Sequence, residues 1–71
     1  MSKPYTNYEW NRLRYDAERL WKQGIRSSDR TIIELQYGYS EHETMILCEQ
    51  LASRERVAEH WLETYNPDLG F

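Results

Sequence analysis

The sequence predicts a small all-α domain of three or four helices, and three observations carry that expectation. Two Ser/Thr-x-x-Glu capping boxes occur, Thr6 to Glu9 and Ser40 to Glu43, and each satisfies two otherwise unpaired amides at a helix start. Behind the first box, apolar residues recur at spacings of three and four, as one stripe of a 3.6-residue helix requires. Gly24 and Gly38 stand where such segments should stop, because glycine takes the left-handed conformation at a helix C-terminus without a Cβ penalty.

The first helix is expected to start at Thr6, leaving residues 1–5 as a short flexible arm, and to run toward Gly24 with Trp10, Leu13, Ala17, Leu20 and Trp21 on one face. For the second helix, Ser27 or Ser28 is the predicted cap. Asp29 then falls in its first turn, where a carboxylate favours the positive end of the helix dipole. Ile32, Ile33 and Leu35 are its apolar residues before a stop near Tyr37-Gly38. The segment TIIELQY is rich enough in β-branched residues to form a strand, but its flanking caps and the lack of a strand to pair with favour helix. The third helix opens at Ser40. Its apolar residues Met45, Ile46, Leu47, Cys48, Leu51 and Ala52 exceed a single stripe, which predicts cover on two sides, by the first two helices and by either a following helix or a partner. Ser53 either caps a fourth helix bearing Val57, Ala58, Trp61, Leu62 and Tyr65 or lies inside a continuous one. Asn66-Pro67 ends helical structure in both cases, so 66–71 reads as a non-helical tail.

At 71 residues the chain is one domain, since a core of this size buries only about 60% of the unfolded surface. Three Trp, six Tyr and one Phe supply large rings for a short chain to bury or to present to a partner. Cys48 is alone, so no intramolecular disulfide forms and a reducing cytoplasm fits. No run approaches the roughly 20 apolar residues of a membrane span, and the N-terminus lacks a signal-peptide core; a soluble cytoplasmic protein is expected. His42, Cys48 and His60 match no compact zinc spacing. The stretch HETM lacks the second histidine of a metalloprotease helix. No catalytic residue, metal ligand or cofactor is predicted.

Net charge is −3, unevenly spread. Residues 1–30 carry seven basic groups against four acidic ones, and residues 31–71 carry two against eight. The chain is thus a charge dipole along its length, with implications for its partners.

From about Tyr8 to Leu51 the layout resembles the helix-turn-helix, homeodomain-like superfamily: an aromatic-rich first helix, a short second helix, a glycine turn at Gly38 and a capped third helix. The resemblance implies a helix-turn-helix-like core in which Ile33, Tyr37, Tyr39 and Leu47 lock the last two helices together. It also implies that Ser40, Glu41, His42, Met45, Ile46 and Glu49 would face the major groove. Two positions depart from the family pattern: Glu34 stands where a small residue is usual, and Thr44 where a larger aliphatic one is.

Carboxylates on that face would meet a duplex carrying one negative charge per roughly 1.7 Å of axis. The favoured expectation is therefore a noncatalytic regulatory protein that binds a protein. Met45 and Ile46, rimmed by Glu41 and Glu49, would form an apolar spot with an acidic border for a basic partner surface, with His42 also among the partner-binding residues. Tyr5 and Phe71, outside the capped helices, would serve as exposed aromatic anchors. The partner would be a component of nucleic-acid machinery such as RNA polymerase. In size, acidity and aromatic content the chain resembles bacteriophage proteins that redirect host transcription or block host defence, which would place it in the host cytoplasm. The alternative is a DNA-binding transcription regulator that sets Arg12, Arg14, Arg19, Lys22 and Arg26 on phosphates, with Tyr8 and Tyr15 interleaved. Self-association through the third and fourth helices is a further expectation.

Overall fold

The structure, a computed structural model, describes the backbone of residues 4–64 and the side chains of residues 4–60. Among the described residues three helices follow one another: α1 (Asn7–Lys22), α2 (Arg30–Leu35) and α3 (Glu41–Thr64). Among the described residues there is no strand, so TIIEL is helical at α2. The predicted tail, and with it Phe71, lies outside the described residues, as do the side chains of Trp61 and Leu62.

α1 starts and stops where its sequence signals stand. The Glu9 amide donates to the Thr6 hydroxyl at 3.1 Å, and the Thr6 amide donates to Glu9 Oε1 at 3.0 Å. At the other end Gly24 takes φ +90°. Its amide donates to the Trp21 carbonyl, and the Ile25 amide to the Leu20 carbonyl, both at 3.0 Å. This paired closure satisfies carbonyls that a helix end otherwise leaves open. Leu13, Ala17 and Leu20 are buried, with Trp10 and Trp21 packed at the edges of the same stripe.

α2 departs from expectation in two ways. The residue at its N-cap is Asp29, not a serine, and the Asp29 carboxylate turns back to accept the Arg26 amide at 2.8 Å instead of capping the helix. A six-residue helix also offers few positions to the core. Ile33 is fully buried, whereas Ile32 faces partly outward and Leu35 is 79% exposed. Gly38, at φ +77°, ends the segment.

α3 is a single helix of 24 residues that runs through Ser53, so no separate fourth helix forms. At about 1.5 Å per residue it is roughly 36 Å long against about 24 Å for α1. Both shorter helices pack on it. Thr44, Ile46, Leu47, Gln50 and Leu51 point into the core, and Met45 and Cys48 lie at its borders. α1 and α2 cover α3, and the following helix expected on its other side does not form among the described residues, where α3 runs on through Ser53. Gln50 is buried with its amide nitrogen donating to the Trp10 carbonyl at 2.6 Å, which ties the centre of α3 to α1.

Candidate functional site

The N-terminal end of α3 is built on its capping box. The Glu43 amide donates to the Ser40 hydroxyl, and the Ser40 amide donates to Glu43 Oε1, both at 3.1 Å. Glu43 also accepts from Arg12 Nη2 of α1 at 3.2 Å. The capping glutamate of α1 does the reverse: Glu9, held by Thr6, meets His42 Nε2 of α3 at 2.6 Å. Each capping carboxylate therefore serves its own helix start and holds a basic side chain of the other helix. The Thr6 amide, then His42, keeps the Glu9 carboxyl below the usual range, and the Ser40 amide, then Arg12, does the same for Glu43. Hydrogen bonds to the charged form are the common cause.

Beside this crossing, Pro4, Arg30, Ser40, Glu41, His42 and Met45 line an open depression of about 550 Å³. Met45 is half-buried there. The Glu41 side chain is 88% exposed, and its contact with Arg30 is a loose 3.9 Å. Glu41, His42 and Met45 thus line one concave surface.

Other predicted site residues lie elsewhere. Ile46 has no exposed surface and belongs to the core; consecutive helical positions differ by about 100°, which carries it inward while Met45 stays at the border. Tyr5 is no free anchor. It is 9% exposed, stacks on Trp10 with ring centroids 5.5 Å apart, and donates its hydroxyl to Glu49. That hydrogen bond, followed by burial, pushes its pKa up to about 12. Residue 5 therefore belongs to the packed domain, and Glu49, although exposed, is engaged there rather than standing at the rim of the Met45 depression.

The helix-turn-helix positions divide as well. Ile33 and Leu47 are buried and Tyr39 is half-buried, whereas Tyr37 remains largely outside the core and donates its hydroxyl to Gln23. Glu34 is half-exposed and accepts from Arg30 at 3.4 Å. Thr44 is completely buried, and its hydroxyl has no hydrogen-bond partner.

Arg12, Arg19 and Lys22 share the outward face of α1, and Arg14 and Arg26 stand apart from it. Arg12 pairs with Glu43, Arg19 with Asp16 at 3.0 Å, and Lys22 with Glu18 at 3.6 Å. Arg26 lies over the Trp21 ring, 3.6 Å from its centroid, and donates to the Trp21 and Ile25 carbonyls. Arg14 is exposed on α1, by register about 160° around the helix from Arg12, about 140° from Arg19 and about 80° from Lys22. Burial pushes the half-buried Cys48 thiol up from its ordinary pKa, opposite to the shift of a reactive thiolate.

Sequence reasoning missed the reciprocal use of the capping glutamates. The two motifs themselves were visible, but nothing in either reveals that the helix starts lie side by side. No family model, curated protein or solved structure matches the chain. Among the described residues no helix is long and apolar enough to cross a membrane.

Proposed function

We propose that this chain is a noncatalytic regulatory protein that docks through the start of α3 onto a basic surface of a protein partner. The single observation behind this reading is the Glu41 carboxylate, projecting into solvent beside half-buried Met45 in a concave surface. A partner lysine or arginine can lay its aliphatic stem on Met45 and bring its charge to Glu41. The acidic C-terminal half of the chain would steer such a partner at long range. Nucleic-acid machinery presents basic surfaces of this kind, RNA polymerase among them, and occupying one would inhibit or redirect it, in the manner of a phage-encoded effector of its host.

The second reading, duplex binding through α1, has less support, because Arg12, Arg19 and Lys22 are already matched to carboxylates. Every matched cation releases fewer counterions from a phosphate backbone. Two measurements separate the readings. Fluorescence anisotropy against mixed duplexes at low salt should show weak binding; tight binding with a steep salt slope refutes the adaptor. Biolayer interferometry against purified RNA polymerase from the source cell should show binding that Glu41→Lys with Met45→Ser abolishes. Binding indifferent to that pair removes the proposed surface.

A further inference from the structure

The outward face of α1 carries a pattern that neither the core nor the Met45 depression uses. Tyr8, Arg12, Tyr15, Arg19 and Lys22 follow one another at steps of four, three, four and three, the spacing of a heptad seam along which two helices meet. All are exposed, with Tyr8 and Tyr15 at 74% and 76%. An arginine or lysine follows each tyrosine along the strip.

We propose that this strip is a self-recognition surface on which α1 of a second copy lies antiparallel. In an antiparallel pair, the two kinds of seam position face each other across the axis. Tyr8 then lies opposite Arg19 of the second copy, and Arg12 opposite Tyr15 of the second copy. The two-fold axis repeats both contacts, as a self-complementary patch requires. Every seam tyrosine thus meets a guanidinium, the pairing that the ring quadrupole favours. The parallel arrangement sets Arg12 against Arg12 and Arg19 against Arg19, so the charges select the antiparallel one.

The existing ion pairs do not block this contact. A guanidinium binds carboxylate at its edge and stacks on aromatic rings with its face. Arg26 already does both kinds of work within the molecule, its edge donating to two carbonyls and its face over Trp21. Arg12 can keep Glu43, and Arg19 can keep Asp16, while each offers its face to a tyrosine. At the borders of the seam Asn11 approaches Glu18 of the second copy, and Glu9 approaches Asp16 of the second copy. That last pair is like-charged, but both carboxylates have internal partners, His42 and Arg19.

One helix face buries less than the ~1,200 Å² of stable complexes, so the association is weak and concentration-dependent. Sedimentation equilibrium of the full chain from about 5 to 500 μM covers that regime. The mass is expected to rise from monomer toward dimer, and Tyr8→Ser with Tyr15→Ser to raise the dissociation constant at least about tenfold. Helical circular dichroism and the melting temperature of the dilute monomer should not change, since both rings stand in solvent there. Tyr15→Arg, which sets arginine against Arg12 of the second copy, should leave only monomer. A wild-type chain that stays monomeric throughout, or a dimer that survives either variant, overturns the proposal.

Discussion

Thr44→Val should stabilise this domain. Thr44 has no exposed surface, and its Oγ1 has no hydrogen-bond partner. A buried hydroxyl left unsatisfied costs about 1–3 kcal/mol, and Val replaces it with a methyl group of nearly the same shape. Thr and Val have similar helix propensities, so the backbone contributes little to the difference. A gain of at least about 1 kcal/mol follows, and in a domain of this size that raises Tm by roughly 4–8 °C. Thr44→Ser supplies the opposite sign: it keeps the unpaired hydroxyl and deletes a buried methyl, at a cost of about 1 kcal/mol. Thermal and urea unfolding followed by circular dichroism measure both. Loss of stability in Thr44→Val, or movement of both variants in the same direction, would refute the unsatisfied hydroxyl.

Acid should loosen the crossing of α1 and α3. Glu9 and Glu43 have folded pKa values below the ordinary 4.5, so their contribution is complete above that value and is lost as pH falls through the folded values. A Glu9→Gln, Glu43→Gln variant should show a flatter dependence of Tm on pH below about 4.5. At the alkaline end Tyr5 has the opposite sign. With its pKa raised from 10.0 to about 12, its stabilisation is intact below 10.0 and disappears as pH rises through about 12. Absorbance at the phenolate band should show one tyrosine titrating late, and Tyr5→Phe should remove that step. Ile46→Ala should cost about 2–5 kcal/mol as a fully buried aliphatic truncation, while Met45→Ala costs distinctly less; urea titration of the two variants tests which residue belongs to the core.

The ends of α1 and the start of α3 were legible because each rests on local chemistry: Thr6 with Glu9, Gly24 with its two amide closures, Ser40 with Glu43. What failed depended on competition or on distance. Ser27 and Ser28 are good capping residues, but the Asp29 carboxylate closes a tight turn with Arg26, and the helix begins after it. Ser53 is also a capping residue, yet Ala52, Arg54, Glu55 and Arg56 around it are helix formers without a glycine or proline to break the run. Met45 and Ile46 could not be told apart because neighbouring positions straddle the edge of an apolar stripe. Tyr5 precedes any helix and reads as part of a loose arm, since its hydrogen bond to Glu49 joins distant parts of the chain. The grouping of Glu41, His42 and Met45 followed from helical register alone and was therefore readable. Its separation from Tyr5 and Ile46 was not.

The folded arrangement also changes what the charge asymmetry means. Along the sequence the basic first half and the acidic second half look like two poles, but folding lays α1 beside the start of α3 and cancels part of each against the other. Arg12 is matched to Glu43, so Glu43 is not available to a partner even though the sequence places it in the same acidic run as Glu41. Glu41 differs because its cation, Arg30, stands at 3.9 Å and is shared with Glu34 at 3.4 Å. An incoming basic group therefore competes for Glu41 against a weak internal contact and for Glu43 against a capping box plus an ion pair. Charge reversal at 41 should consequently weaken partner binding while leaving the fold intact, whereas reversal at 43 removes a helix cap and the tie to Arg12 together, and its effect on binding would arrive through loss of structure.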